Sequence, residues 1–119
     1  ALVTDGGLVP RGNPDKFPRG FARVWGAYSI GNRDNLSGED YEVVHGGYDT
    51  RHVQGDPDRL VPVDVLHEME QAGLIGKLHD EFFSTTGNTN PLENSRRLGR
   101  EMAARLKEAE VDAVILTST

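Results

Sequence analysis

Hydrophobic residues occur along this chain in short runs that alternate with polar, glycine-rich stretches. Four of these runs have the length and the apolar or β-branched content of strands, at residues 1–4, 42–44, 81–86 and 111–116. The last run is almost continuously apolar, which is typical of a central parallel strand covered on both faces. Residues 8–38 are loop-like in composition, with one short helix predicted around Phe21, Val24 and Trp25.

Two longer segments show helical periodicity. The first begins near Pro62 and ends near Gly73, and its apolar face is formed by Val65, Leu66 and Met69. In the second, Asn90 is suited to cap the helix and Pro91 to occupy its first position. The apolar stripe of this second helix consists of Leu98, Met102, Leu106 and Ala109.

Strands that alternate with helices predict an α/β fold. We expect a three-layer, mostly parallel sheet with Rossmann-like alternation of strands and helices, truncated after its fourth strand. The 119 residues suit one domain with a single core. The first strand lacks a beginning and the sheet stops at its fourth strand. Residues 1–119 are therefore expected to form a single α/β domain that is a fragment of a larger protein.

The predicted strands all end in small, polar segments, most of them rich in glycine. These segments are Asp5-Gly6-Gly7, His45-Gly46-Gly47, Thr85-Thr86-Gly87 and Thr117-Ser118-Thr119. Ligands of parallel α/β sheets bind beyond the carboxyl ends of the strands. We therefore expect the four segments to converge on one rim. All of their residues except Thr85 are expected to form, with Asp49, a pocket for a substrate carboxylate or amine.

Each of these features also has a purely structural explanation. The glycine pairs suit tight turns that need a positive φ. His45 suits either acid–base chemistry or a structural hydrogen bond. Asp5 either binds a substrate amine or caps its own glycine turn, and the sequence leaves both explanations open.

Composition and charge exclude several classes of function. The 19 acidic and 13 basic residues give a formal charge of −6, which argues against a nucleic-acid or anionic-membrane partner. No apolar run approaches the ~20 residues that span a bilayer, so we expect a cytoplasmic protein. The absence of cysteine excludes thiol chemistry and thiolate zinc sites in these residues. The histidines and carboxylates lack a recognised metal-ligand spacing, and neither glycine pair matches a nucleotide-binding fingerprint.

Long stretches of the chain resemble the selenoprotein subunit of component B in the glycine, sarcosine and betaine reductases. The resemblance extends over nearly the whole chain and is loose only around residues 18–26 and 50–56. It is carried by ALVTDGGLVP at 1–10, GNPDK at 12–16, YSI at 28–30, EDY at 39–41, HGGYD at 45–49, RLVPVDVL at 59–66, GKLH at 76–79 and VDAVILTST at 111–119.

The resemblance implies an oxidoreductase that carries out reductive deamination. In that family the strand equivalent to residues 111–119 runs directly into a selenocysteine, so a selenocysteine is expected immediately after Thr119. Its selenolate would displace the substrate amine, and the resulting carboxymethyl-selenoether would pass to selenoprotein A. The implied partners also include a second component B subunit that carries a pyruvoyl group.

The resemblance also accounts for the last residue of the chain. Selenocysteine is encoded by a codon that otherwise means stop, so a gene read without recoding would end at Thr119. A chain without the selenocysteine is expected to be inactive. Two other hypotheses stay open: a non-catalytic α/β module that binds an amino acid or another small carboxylate, and a homo-oligomer formed through exposed sheet edges.

Overall fold

A computed structural model describes all residues from 1 to 119. Six strands and three α-helices, with one 3-10 helix, form the chain. In order, they are β1 (Leu2–Thr4), β2 (Leu8–Pro10), β3 (Gly26–Ser29), β4 (Tyr41–Val43), α1 (Arg51–Gly55), the 3-10 helix (Pro57–Arg59), α2 (Val63–Gln71), β5 (Glu81–Ser84), α3 (Leu92–Glu108) and β6 (Ile115–Thr117). No helix is both long enough and apolar enough to cross a membrane.

The main sheet has four strands in the order β3-β5-β1-β6. β1 pairs in parallel with β5 on one side and with β6 on the other, whereas β3 runs antiparallel to β5. The predicted α/β class is therefore confirmed, with a mixed sheet in which two of the three pairings are parallel. β2 and β4 form a separate, two-stranded antiparallel sheet.

The register of the main sheet assigns its side chains to two apolar faces, because successive side chains of a strand point to opposite sides. Val3 and Phe83 are register partners and pack against the buried stripe of α3, formed by Leu98, Met102 and Leu106. Leu2 and Phe82 are also partners and face a larger core that includes Leu8, Val9 and Leu66. Helix α3 therefore covers one face, and α2 and the small sheet contribute to the other.

The region predicted as a loop contains two strands and no helix. Leu8 and Val9 are fully buried in β2, and Tyr28 of β3 is buried against Phe82. Phe21 has a φ of +56°, which is incompatible with the helix predicted there. The strand predicted at residues 42–44 is present as β4, but it pairs with β2 and does not belong to the main sheet.

Two predicted helix details are wrong. Asn90 does not cap α3, since its amide donates to the Thr86 carbonyl oxygen at 3.2 Å and accepts from the Asn94 side chain. Val65 is 49% exposed, because it is adjacent in sequence to Leu66 and so points about 100° away from it around the helix.

The strand predicted to be central, at residues 111–116, lies at the edge of the sheet as β6. Leu116 is 75% exposed and Ile115 is 45% exposed. The prediction of a central strand covered on both faces is wrong within these residues, because β6 pairs only with β1 and its side chains on both faces, Ile115 and Leu116, are exposed.

Candidate functional site

Parallel pairing brings three of the predicted strand ends to one edge of the sheet. Thr4 of β1 is the register partner of Ser84 in β5 and of Thr117 in β6. The segments that follow these residues therefore emerge side by side. We call this edge the rim; it comprises residues 5–7, 85–87 and 118–119, together with residues 44–48 described below.

Asp5 lies at the centre of the rim and is bonded to both neighbouring segments. Its backbone N–H donates to the Thr117 carbonyl oxygen at 3.3 Å, and its own carbonyl oxygen accepts from Gly87 N–H at 2.8 Å. Its carboxylate Oδ2 accepts from the Ser118 hydroxyl at 3.0 Å. The other carboxylate oxygen, Oδ1, is buried without a hydrogen-bond partner.

Threonine hydroxyls join the same segments. The Thr4 hydroxyl donates to the Thr117 carbonyl oxygen at 3.2 Å and accepts from Gly6 N–H at 3.1 Å. Thr86 is fully buried, forms a bridge with Gly6, and donates its hydroxyl to the Val44 carbonyl oxygen at 2.9 Å. The Thr117 hydroxyl is buried without a hydrogen-bond partner. In addition to the Asp5 carboxylate oxygen, a second orphaned polar atom is therefore present, one residue before the rim segment 118–119.

The end of β4 joins the rim although β4 belongs to the other sheet. Val44 N–H donates to the Gly7 carbonyl oxygen at 2.8 Å, and the Tyr48 hydroxyl donates to the Gly6 carbonyl oxygen at 3.1 Å. Gly7 has a φ of +73°, and a Cβ there would lie 2.2 Å from the Val44 carbonyl oxygen. Only glycine allows the segment between β1 and β2 to approach the end of β4 this closely.

His45 is buried beside this junction, with 5% of its surface exposed. Its Nδ1 accepts from Gly47 N–H at 3.0 Å, which places the ring proton of neutral His45 on Nε2. Burial lowers the pKa of His45, and the negative charge of Asp5 acts in the opposite direction. His45 is therefore a neutral hydrogen-bond donor at pH 7.

Tyr48 packs against His45, with 4.9 Å between their ring centroids. Burial, and then the charge of Asp5, raise the pKa of the Tyr48 hydroxyl to about 12, so it stays protonated. The sequence prediction missed Tyr48 as a site residue, although it directly follows the glycine pair. A half-buried aromatic ring next to a carboxylate provides a favourable environment for a cation.

The glycine amides of the rim are already used within the protein. Gly7 N–H donates to the Thr85 carbonyl oxygen at 3.0 Å, and Gly46 N–H donates to the Arg19 carbonyl oxygen at 2.7 Å. The amides of Gly6, Gly47 and Gly87 are bonded as described above. The rim therefore does not present these amides to an anion, whereas Oδ1 of the Asp5 carboxylate has no hydrogen-bond partner.

Several of the predicted pocket residues are exposed to solvent. Asp49 is exposed and forms an ion pair with Arg51 at 2.6 Å, which holds the pKa of Asp49 below its usual value. Gly46 and Gly47 are exposed, and each lies close to the Asn88 side chain. Ser118 and Thr119 are exposed at the end of β6. A role in binding stays a prediction for all twelve candidates.

A groove lies at the opposite end of the sheet. It has a volume of about 520 Å³ and is mostly apolar, with Leu66 and Met69 of α2 on one side and Val111 and Ile115 on the other. Nowhere in the structure do three or more histidine, aspartate or glutamate side chains lie close enough together to hold a metal ion.

Comparison with known proteins identifies the family. The sequence model that describes the glycine/sarcosine/betaine reductase selenoprotein B family matches residues 1–119. Subunit gamma of glycine reductase complex component B from Symbiobacterium thermophilum is 50% identical over the whole chain, which covers 28% of that relative. No solved structure matches the chain.

Two relatives from Peptoclostridium acidaminophilum are named for the other two substrates. The beta subunits of its sarcosine and betaine reductase complex component B are 43% and 40% identical to the whole chain, which covers 27% of each. The chain thus spans about a quarter of the length of the curated relatives it matches. It belongs to the glycine/sarcosine/betaine reductase selenoprotein B family.

Proposed function

We propose that the protein containing these residues is the selenoprotein subunit of component B in a cytoplasmic reductase complex. The complex carries out reductive deamination of glycine, sarcosine or betaine. Its other members are a component B subunit with a pyruvoyl group and selenoprotein A. The family match over residues 1–119 and the relatives named for all three substrates support this proposal.

The proposal assigns the rim to substrate binding and assigns the nucleophile to a selenocysteine that follows Thr119 in the full-length subunit. A selenolate would supply the nucleophile that displaces the substrate amine. Residues 1–119 contain no cysteine that could take this role. We further propose that the full-length subunit has the three-layer, Rossmann-like arrangement expected from the alternation of strands and helices.

β1 would fix the position of that nucleophile through hydrogen bonds to the end of β6. Thr4 and Asp5 both donate to the Thr117 carbonyl oxygen, and the Asp5 carboxylate holds the Ser118 hydroxyl. These contacts orient the backbone that leads to Thr119, one residue before the proposed selenocysteine. A residue held there would lie next to Asp5.

Asp5 is suited to receive the amine end of the substrate. All three substrates carry a positive nitrogen, and Oδ1 of Asp5 is a carboxylate oxygen without a partner. The aromatic ring of Tyr48 favours a methylated ammonium group, and neutral His45 offers an N–H to a substrate oxygen. The single observation that carries this assignment is the orphaned Asp5 oxygen at the end of β1.

Exchange of Asp5 for asparagine tests the assignment. In the full-length subunit, assembled with its partners, Asp5→Asn removes the negative charge and keeps the size of the side chain. We expect kcat/KM to fall about 30-fold or more, because the substrate cation would lose a charged partner in a partly buried site. Asp40→Asn is the matched control, since Asp40 is exposed, is paired with Arg33 and lies outside the predicted pocket, and its activity is expected within about 3-fold of wild type.

The thermal midpoint of each variant shows whether the fold is retained. A folded Asp5→Asn subunit with wild-type kcat/KM for glycine, sarcosine and betaine would refute the role of Asp5. A loss of activity that is equal for the Asp5 and Asp40 variants would show that the rim has no special role.

A further inference from the structure

β6 exposes a large apolar surface at the edge of the sheet. Leu116 is 75% exposed, Ile115 is 45% exposed, and Val114 beside them is 40% exposed. Leu116 is the register partner of Val3, on the face that α3 covers elsewhere in the sheet. Ile115 is the partner of Leu2, on the opposite face. On each face of the sheet, the side chains of β6 therefore extend an apolar layer that is buried at β1.

The outer edge of β6 has unpaired backbone groups. Ile115 donates its N–H to the Ala1 carbonyl oxygen on the β1 side. Because backbone amides alternate along a strand, the amide of Leu116 points to the free edge. The unpaired backbone groups of an apolar edge strand favour pairing with another segment.

The apolar surface of Ile115 continues into the groove described above. The groove is lined by Val111, Ala113 and Ile115 on one side and by Leu66 and Met69 on the other. Its occupant needs an apolar side chain that projects into a concave surface. Apart from β6 itself, a second copy of this chain offers no continuous apolar element, since its other exposed large apolar residues lie in four different segments: Phe21 and Val24, Val65, Leu74, and Leu92.

We propose that β6 and the adjoining groove are covered in the full-length subunit by polypeptide outside residues 1–119, one strand of which pairs with the free edge of β6. The relatives contain enough further polypeptide for this covering, because this chain covers only 27–28% of their length. The covering is physically favourable, because a strand with two apolar faces is stable in the interior of a sheet. The inference rests on family membership and is independent of the proposed chemistry.

Amide hydrogen exchange in the full-length wild-type subunit tests this covering. If a strand pairs with β6, the Leu116 amide is hydrogen-bonded, and its exchange is about 100-fold or more slower than in an unfolded peptide. Exchange within about 10-fold of the unfolded rate would overturn the proposal. Slow exchange that becomes fast when the protein is diluted to monomers would also overturn it, because a second copy would then be the occupant.

A matched pair of substitutions provides an independent measurement. Leu116→Asp in the full-length subunit places a charge on a covered face, so we expect its thermal midpoint to fall by several degrees or its soluble form to be lost. Leu74 has nearly the same exposure, 71%, but lies in the connection after α2, so Leu74→Asp is expected to match wild type. Equal thermal midpoints for the two variants would contradict the proposal.

Discussion

Gly7→Ala is expected to destabilise severely the contact between the segment that precedes β2 and the end of β4. An alanine Cβ at this position would lie 2.2 Å from the Val44 carbonyl oxygen, so the two chain segments would have to move apart. The movement would break or weaken the bond from Val44 N–H to the Gly7 carbonyl oxygen, which costs about 1 kcal/mol. The positive φ adds about 1–2 kcal/mol for any residue with a Cβ. With the steric contact included, we expect a total of roughly 3–5 kcal/mol.

Urea unfolding of the 119-residue chain, followed by circular dichroism, measures this change. Gly73→Ala is the control, because Gly73 has a φ of +69° and nothing within 4 Å of the position of a Cβ. That variant isolates the cost of the backbone conformation, about 1–2 kcal/mol. Equal losses of unfolding free energy for the two alanines would refute the close approach of Gly7 to Val44.

Two further predictions concern buried polar groups of the same chain. Asp58→Ala is expected to lower the free energy of unfolding by roughly 2–4 kcal/mol, because the carboxylate accepts from the backbone N–H groups of Leu36, Val63 and Asp64 at 2.7, 3.0 and 3.3 Å. Urea unfolding measures this loss. A loss smaller than that of Gly73→Ala would contradict the stabilising role of the Asp58 carboxylate. For His45, burial lowers the folded-state pKa below the ordinary 6.5, so the unfolded chain binds more protons in this range. Stability of wild type should therefore fall more steeply than that of His45→Gln as the pH drops from 7 to about 5, and parallel curves would refute this.

The sequence predicted the parts of the fold that depend on strong local patterns. The stripe of Leu98, Met102 and Leu106 recurs every four residues, and it forms the buried face of α3. The run at residues 8–10 is too short to be distinguished from a loop, and its burial depends on pairing with β4, more than 30 residues away. Asp58 gives no local signal either, since its partners at Leu36 and Val63 are brought to it by the tertiary structure.

Convergence of the strand ends followed from parallel pairing, which fixes where Asp5, Thr85 and Ser118 emerge. The position of His45 depended on contacts that no periodicity reveals, because β4 reaches the rim from a second sheet through Gly7. Whether a glycine amide is free for a ligand also depends on distant partners. Gly46 donates to Arg19, for example, which the sequence pattern does not predict.

The central claim is that the substrate binds at the rim, beside Asp5 and the end of β6. The most direct measurement is an experimental structure of the full-length subunit in its complex, determined with glycine or betaine bound. Our account predicts that the substrate nitrogen lies within hydrogen-bonding or ion-pairing distance of the Asp5 carboxylate, close to Thr119. Substrate bound in the groove at the opposite end of the sheet, between Met69 and Ile115, would contradict it.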